Sequence, residues 1–359
     1  MLEDLKKEVL KTKVTIGVYL LITGSVISIL LVISLTYYTQ AVIISDQEET
    51  DVQETEEEPP KEVTVTTENK VGEKDESTKD KKEKAKEMKT SPDDPFSDIE
   101  LKASSAIVWD INKDKEIFTK DADRVLPFAS ITKLMTAIVA LEKVDPELPV
   151  LIERDFLKQY GNSGLFPNEK WFLNDLSKIS VLTSANDASY AIAASVGSIL
   201  TNSTHEEGVD HFISEMNKKA KEIGMEKTYF HNATGLDMEE EDAGAYGSAR
   251  DMVKMVLYAL SDHSDILYAT RHKEREMTSL SDLHHNFQNT NPAVSEMNGI
   301  LASKTGYTDL AGGNLVVVIN ADLNYPVIIA VMGSTFKGRF EDTKKLITAT
   351  KDHLNRHDN

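Results

Sequence analysis

The sequence predicts an α/β fold of the α+β kind, in which helices flank one antiparallel sheet. β-rich runs lie near both ends of residues 96–357, and apolar residues at helical spacing fill the middle. Near the C-terminal end, a short turn joins GNLVVVIN to YPVIIAVMG, which favours antiparallel pairing. We therefore expect one folded domain of about 260 residues whose sheet combines strands from its two ends.

Each element of this domain has a local signal. The turn NKDK separates SSAIVWDI from KEIFTK and predicts a hairpin. SITKLMTAIVALEKV, SEMNKKAKEIGM and FEDTKKLITATKDHL have helical periodicity, and Gly224 is expected to end the second of these helices. Ser248 is predicted to cap the helix of ARDMVKMVLYAL. WFLNDLSKISVLTSANDASYAIAASVG predicts two helices with a break near Ser184.

Composition excludes several functional classes. The absence of cysteine excludes disulfides, a cysteine nucleophile and a thiolate metal site. The formal net charge of −20 argues against a nucleic-acid partner, because phosphate binding needs a basic surface. HEEGVDH lacks the H-E-x-x-H spacing of a zinc site, and the adjacent His284 and His285 fall in a predicted loop. No metal site is predicted.

The N-terminal region predicts a membrane anchor at residues 14–38. No charged residue occurs from Val14 to Ser45, and this run exceeds the ~20 residues that cross a bilayer. A cleaved signal peptide would have a shorter apolar core, of about 7–15 residues. Four lysines precede the span and the next basic residue is Lys61, which predicts a cytoplasmic tail at residues 1–13. We expect a single-pass protein of the cell membrane with its large domain outside the cytoplasm.

Residues 39–95 are predicted to be a disordered linker. Residues 45–95 contain 18 Asp/Glu and 9 Lys/Arg and almost no large apolar side chain. Such a segment cannot bury enough apolar surface to offset its conformational entropy.

Ser130 and Lys133 form the first candidate pair for chemistry, in PFASITKLMTA. Residues three apart are neighbours on a helix, and a partly desolvated lysine can accept the proton of a serine nucleophile. For this pair alone a solvated helix end is the stronger explanation, since S-x-x-K is expected roughly once by chance in a chain of this length.

Two further polar segments could complete such a site. Ser184 and Asn186 interrupt two apolar helical stretches, where they could relay a proton and hold a substrate amide, or simply cap a helix. Lys304, Thr305 and Gly306 precede the β-rich pair, on an expected sheet edge. The lysine and threonine could bind a carboxylate, and the glycine would allow close backbone approach. The plainer explanation is a strand end with a solvated lysine.

The order S-x-x-K, S-x-N, K-T-G is the signature of penicillin-binding proteins and class A β-lactamases. From about Ser104 to Leu354 the chain resembles the low-molecular-mass penicillin-binding proteins, the D-alanyl-D-alanine carboxypeptidase family. PFASITKLMTA resembles that family's P-x-A-S-x-T-K-x-M-T-A, and LTSANDAS resembles its S-G-N-D-A-A. HNATGLD, SARDM, NTNPAV, SKTGYTDLAGGNLV and STFKGRFEDTKKLI resemble further family segments.

The resemblance implies a transpeptidase-like fold with a five-stranded antiparallel sheet, and a serine peptidase that acts through an acyl-enzyme. It implies that Ser130 attacks the substrate, that Lys133 is the general base, and that Ser184 passes a proton to the leaving amine. Asn186 would hold a substrate amide. The backbone N–H groups of Ser130 and Tyr307 would form the oxyanion hole.

The resemblance also implies the ligands. Lys304, Thr305, Gly306 and Arg339 would bind the terminal carboxylate of a peptidoglycan stem peptide ending in D-Ala-D-Ala. β-Lactams would be covalent inhibitors, and neither a metal nor an organic cofactor would be needed.

Three departures and three alternatives follow from the same comparison. Ala185 replaces the usual glycine, and Tyr246 lies near the place of a usual histidine. The family's larger members add a C-terminal β domain and membrane helix, which we expect this chain to lack.

No glutamate between Ser184 and Lys304 has an asparagine four residues later, which argues against a class A β-lactamase. A D,D-endopeptidase that cuts cross-links and a non-catalytic, tethered peptidoglycan-binding protein remain open.

Overall fold

The computed structural model describes residues 94–161 and 163–357. The predicted cytoplasmic tail, the membrane anchor and nearly all of the predicted linker lie outside the described residues. Within the described part, no helix is both long and apolar enough to cross a membrane.

Runs of strands and runs of helices follow one another along the described chain in an α+β arrangement. In chain order they are β1 (Ser105–Asp110), β2 (Lys115–Lys120), β3 (Leu126–Pro127), α1 (Thr132–Lys143), β4 (Pro149–Leu151), β5 (Lys170–Phe172), α2 (Leu173–Thr183), α3 (Asn186–Thr201), α4 (His205–Glu222), β6 (Tyr229–Phe230), β7 (Ala245–Gly247), α5 (Ala249–Asp262), α6 (Ser264–Tyr268), β8 (Glu274–Thr278), β9 (His284–Gln288), β10 (Ile300–Thr308), β11 (Gly312–Asp322), β12 (Tyr325–Ser334) and α7 (Gly338–His357).

Five strands form the central sheet in the order β10-β11-β12-β1-β2, with every neighbouring pair antiparallel. The first two strands of the domain thus join the last three, as the sequence predicted. β10, which carries the K-T-G segment, lies at one edge of the sheet. The expected five-stranded antiparallel sheet and the edge position of K-T-G are confirmed.

Both faces of this sheet are covered. Along β11, Leu315, Val317 and Ile319 pack into the apolar cluster that includes Leu346 of α7. The alternate residues, such as Val316, pack into the larger cluster formed with the remaining helices. Because successive side chains of a strand point to opposite faces, a strand covered on both sides has a continuous apolar sequence. LVVVI in GNLVVVIN is such a sequence.

Three helix boundaries follow the predicted signals. Ser184 separates α2 from α3 in a left-handed conformation, with φ of 59°. Gly224, at φ of 75°, follows the end of α4. The Ser248 side chain accepts a hydrogen bond from the Asp251 N–H and caps α5. α1 is buried over nearly its whole length, so its first turn lies inside the domain, against the sheet edge.

Candidate active site

Ser130 lies in a tight turn immediately before α1. Ala129, Ser130 and Ile131 form a 3₁₀ turn, and Ala129 has φ of 48°. That conformation costs an alanine roughly 1–3 kcal/mol and must be held by its surroundings. Gly235 packs against the Ala129 carbonyl so closely that it has no room for a side chain. The turn that presents Ser130 is therefore fixed from outside α1.

Gly306 of β10 supports the same turn. A methyl group on Gly306 would lie 2.9 Å from the carbonyl oxygen of Phe128 and 3.3 Å from Cβ of Ala129. The backbone that packs closely against Gly306 therefore belongs to the protein itself and not to a ligand. This contact joins the K-T-G strand to the S-x-x-K turn.

Lys133 lies fully buried at the centre of the site. Its Nζ is 2.9 Å from Oγ of Ser130, 2.7 Å from Oδ1 of Asn186 and 2.6 Å from the carbonyl oxygen of Thr234. Burial lowers the pKa of Lys133 to about 7, and the carboxylate of Asp187 opposes this shift. The amine is therefore partly neutral near pH 7.

The hydrogen-bond partners of Lys133 determine where a neutral amine would direct its lone pair. A neutral amine has two N–H donors, and both the Asn186 amide oxygen and the Thr234 carbonyl can only accept. The two N–H groups go to these oxygens, and the lone pair then faces the Ser130 hydroxyl. This arrangement can remove the proton of Ser130.

Ser184 and Lys304 form a second pair. Nζ of Lys304 is 2.9 Å from Oγ of Ser184 and donates to the carbonyl oxygen of Thr305 at 2.8 Å. Burial lowers the pKa of Lys304 well below its ordinary value, and the positive charges of Lys133 and Arg339 lower it further. The two buried lysines are thus electrostatically coupled, and a proton can pass along Lys304 and Ser184.

The Ala185 departure has a simple backbone explanation. Ala185 has φ of −66° and ψ of 117°, which any residue adopts without strain. The left-handed position belongs to Ser184. An alanine therefore fits at position 185.

Arg339 lies beside the K-T-G strand, close to Tyr307. Its Nη1 donates to the carbonyl oxygen of Gly306 at 2.7 Å, while its buried Nε has no partner among the described residues. The guanidinium lies over the ring of Phe336, with 4.6 Å to the ring centroid, and burial lowers its pKa to about 10. A buried cation with an unused donor suits an anion. Tyr307 is opposite Gly313 in the sheet, and its ring packs edge-on against Phe336.

Sequence reasoning missed four supporting residues. The carbonyl of Thr234 binds Lys133, and Asn232 fixes that loop by accepting from the Thr234 and Gly235 N–H groups. The carbonyl of Tyr160 accepts one N–H of the Asn186 amide at 2.7 Å. Asn314 donates to the Pro127 and Phe128 carbonyls and so fixes the backbone segment that precedes Ser130. HNATGLD and GGNLV contained three of these residues, whereas nothing in the sequence marked Tyr160.

Tyr246 lies in the small sheet that flanks the Ser130 turn. It pairs with Pro127 between β7 and β3, and its hydroxyl accepts from the Ala243 N–H at 3.0 Å. Its ring packs edge-on against His231. In this position the tyrosine supports the loop around Ala243, outside the contacts of Ser130 and Lys133.

No group of three or more potential metal ligands occurs within residues 94–161 and 163–357. The two adjacent histidines singled out from the sequence begin β9. His285 is hydrogen-bonded to the buried Glu169 at 2.6 Å and stacks on Phe287. These contacts give His285 a packing role.

The chain is similar in sequence to D-alanyl-D-alanine endopeptidases and carboxypeptidases. It is 31% identical over 269 residues to the D-alanyl-D-alanine endopeptidase of Escherichia coli K12, covering 72% of this chain and 81% of that protein. It is 29% identical over 257 residues to the D-alanyl-D-alanine carboxypeptidase DacF of Bacillus subtilis, covering 70% of this chain and 62% of DacF.

Solved structures share the fold. The crystal structure of the Streptomyces K15 DD-transpeptidase superposes with a TM-score of 0.63 at 24% identity and covers 70% of this chain and 97% of that one. A D-alanyl-D-alanine carboxypeptidase from Mycobacterium tuberculosis gives a TM-score of 0.61 at 22% identity, covering 70% and 92%. Residues 86–335 match the D-alanyl-D-alanine carboxypeptidase family, peptidase S11. The chain belongs to this family of serine peptidases, as the motif resemblance predicted.

Proposed function

We propose that this protein is a membrane-anchored D-alanyl-D-alanine carboxypeptidase that removes the terminal D-alanine of peptidoglycan stem peptides through an acyl-enzyme on Ser130. The observation that carries the proposal is the buried Lys133 amine, which is 2.9 Å from the Ser130 hydroxyl and has a pKa lowered to about 7. A base whose pKa lies near the working pH suits general base catalysis.

In the acylation step, Ser130 Oγ bonds to the carbonyl carbon of the penultimate D-alanine while Lys133 Nζ takes the serine proton. The negative charge of the tetrahedral intermediate is stabilised by the backbone N–H groups of Ser130 and Tyr307. Donors of this type contribute about 3–4 kcal/mol each in acyl-transfer enzymes. The C–N bond then breaks, Ser184 gives the departing amine a proton, and the ammonium group of Lys304, 2.9 Å from Oγ of Ser184, replaces that proton.

The terminal carboxylate of the substrate lies between three side chains in this proposal. Lys304 and Thr305 face it from β10, and the guanidinium of Arg339, which is hydrogen-bonded to the Gly306 carbonyl, supplies positive charge beside them. The substrate amide is held by the second N–H of Asn186, because Tyr160 takes only one of the two.

Water completes the cycle by adding to the ester carbonyl, and its proton passes through Ser184 to Lys304, which is neutral after the acylation step. Lys133 returns its proton to Ser130 Oγ as the ester bond breaks, and the shortened stem peptide is released. Every step uses groups of this chain, the substrate and water, without a metal or an organic cofactor. A β-lactam acylates Ser130 in the same way but blocks the site, because its leaving group stays attached to the acyl moiety.

A D,D-endopeptidase is the second candidate. The Escherichia coli relative at 31% identity is named an endopeptidase, as are relatives in Pseudomonas aeruginosa and Haemophilus influenzae, whereas the Bacillus subtilis relative is named a carboxypeptidase. Both reactions use the same acyl-enzyme and differ in the leaving amine. Family membership and the Ser130–Lys133 contact argue against the third alternative, a non-catalytic binding protein.

Product analysis distinguishes the two activities. Purified full-length protein is incubated with isolated peptidoglycan, and the products are separated by chromatography with mass detection. A carboxypeptidase releases free D-alanine and converts pentapeptides to tetrapeptides, whereas an endopeptidase converts cross-linked dimers to monomers. Loss of dimers without release of D-alanine would replace our first candidate with the second.

The location of the protein is part of the same proposal. The uncharged run from Val14 to Ser45 and the lysines before it support an anchor at residues 14–38 and an extracytoplasmic catalytic domain at residues 96–357, joined by a flexible linker. Cell fractionation tests this directly. The full chain is expected with the membranes, where protease added outside the cell should remove the catalytic domain.

A further inference from the structure

Thr290 connects the elements that carry Ser184 and Lys304. Its backbone N–H donates to the carbonyl oxygen of Leu182, in the last turn of α2, at 3.2 Å. Its hydroxyl is 2.7 Å from the Thr305 hydroxyl on β10 and 3.5 Å from the Leu182 carbonyl oxygen. The acyl-transfer steps described above do not use Thr290.

Two asparagines fix the backbone on either side of Thr290. The Asn289 side chain donates to the Thr270 carbonyl at 2.7 Å and accepts from the Asn291 N–H at 2.8 Å. The buried Asn291 side chain accepts from the Ala293 N–H at 3.0 Å. Because both flanking side chains bind backbone, the position of the Thr290 hydroxyl against Thr305 is set by the turn.

The direction of the hydroxyl–hydroxyl contact is not fixed by its geometry, since either oxygen can donate. Before a substrate binds, Thr305 can donate to Thr290, and Thr290 can donate to the Leu182 carbonyl. A carboxylate beside Thr305 can only accept, so the Thr305 proton must turn toward it. The Thr290 hydroxyl is then positioned to donate a hydrogen bond to the Thr305 hydroxyl.

We propose that Thr290 is a positioning residue for the carboxylate subsite: it donates to Thr305 and thereby directs the Thr305 proton toward the substrate carboxylate. The inference rests on the proposed function, which places that carboxylate at Thr305. A hydroxyl that accepts a hydrogen bond becomes a stronger donor, and hydrogen bonds to an anion are stronger than those to a neutral group. Thr290 therefore favours a carboxylate over a carboxamide.

The test compares two substrates on the full-length protein. One is an N-acylated tripeptide ending in D-Ala-D-Ala, and the other is the same peptide with a C-terminal carboxamide. Thr290→Val should raise KM for the carboxylate peptide about fivefold, the effect of one ordinary hydrogen bond. KM for the carboxamide should stay within about twofold. Thr290→Ser keeps the hydroxyl and should keep the wild-type preference.

Three further variants make each outcome decisive. Thr350→Val removes a buried threonine hydroxyl in α7 that donates to the Leu346 carbonyl, and it measures the effect of such a loss on folding away from the candidate site. Thr290→Ala replaces Thr290→Val if the valine does not fold. Thr305→Val tests the carboxylate subsite itself.

If Thr305→Val lowers the preference for the carboxylate but Thr290→Val does not, this inference is wrong and the proposed function stands. An equal loss on both peptides with Thr290→Val also overturns it, because that result indicates a purely structural role. If Thr305→Val leaves the preference unchanged, the carboxylate does not lie at Thr305, and the proposed subsite fails first.

Discussion

The pH dependence of acylation reports the protonation of Lys133. Only its neutral form can take the Ser130 proton, and its pKa is lowered to about 7 by burial. Since the folded pKa lies below the ordinary value of 10.5, the reactive form is lost as the pH falls through about 7 and is present above it. The acylation rate should therefore increase with pH and level off.

The expected change in the acylation rate follows from the neutral fraction of Lys133. With a pKa of about 7, that fraction is about 1% at pH 5, about half at pH 7 and about 90% at pH 8. Acylation should thus be roughly 90-fold faster at pH 8 than at pH 5. A lysine with an ordinary pKa would give a rate that still increases at pH 9.

The assay follows covalent labelling by a fluorescent penicillin in excess, from pH 5 to pH 9. A variant of Asp187 makes the test specific to Lys133. The Asp187 carboxylate raises the pKa of Lys133, so Asp187→Asn should move the midpoint to lower pH and make acylation faster than wild type at pH 6. The neutral asparagine can still accept the hydrogen bond from Ser163.

Asp352→Asn is the matched control, because Asp352 lies exposed on α7 and its loss should leave the midpoint in place. A rate independent of pH, a midpoint near 10, or a shift to higher pH with Asp187→Asn would refute the assignment of Lys133 as the base.

Three further predictions test the surrounding geometry. Gly306→Ala would place a methyl group 2.9 Å from the Phe128 carbonyl oxygen and displace the Ser130 turn, so penicillin labelling should slow at least tenfold; an unchanged rate would contradict that contact. Ala185→Gly should lower the free energy of unfolding by about 0.4–1 kcal/mol in a urea titration, because the alanine is unstrained there; a more stable variant would show that the site favours glycine. Arg339→Leu removes a charged donor worth about 1.5–3 kcal/mol, so KM for a D-Ala-D-Ala peptide should increase about 10- to 100-fold, and an unchanged KM would place the carboxylate elsewhere.

Much of the fold was predictable because its signals are local. The hairpin of β1 and β2, the break at Ser184 and the serine cap of α5 each depend on a few neighbouring residues. The antiparallel pairing of β11 with β12 was also predicted, since two apolar runs joined by a short turn favour a hairpin. The edge position of β10 followed from the K-T-G segment preceding that pair.

The residues of the candidate site that belong to short sequence motifs were predictable. The contacts between residues of different motifs were not predictable. The spacing of Ser130 and Lys133 suggests a pair, but their role depends on Thr234 and Asn186, 101 and 53 residues away from Lys133. Thr234 contributes a backbone carbonyl, which any residue could supply, whereas the side-chain amide of Asn186 belongs to the predicted S-x-N motif. Tyr160 contributes only its carbonyl, so its identity left no signal in the sequence.

The role of Gly306 and the strain at Ala129 also depend on contacts between distant parts of the chain, which the sequence does not show. Gly306 was expected to admit a ligand, but the nearest backbone is that of Phe128, which only the folded chain brings there. The strain at Ala129 was equally invisible, because an alanine at φ of 48° violates its own preference and is held by Gly235 from a distant loop.

Ser130 is the nucleophile in the proposed mechanism. The most direct measurement is peptide mapping by mass spectrometry of the full-length protein after reaction with benzylpenicillin. We predict one added penicilloyl group, located on the peptide that contains Ser130, and no adduct in Ser130→Ala. An unmodified wild-type protein of native fold, or an adduct that persists in Ser130→Ala, would contradict the account.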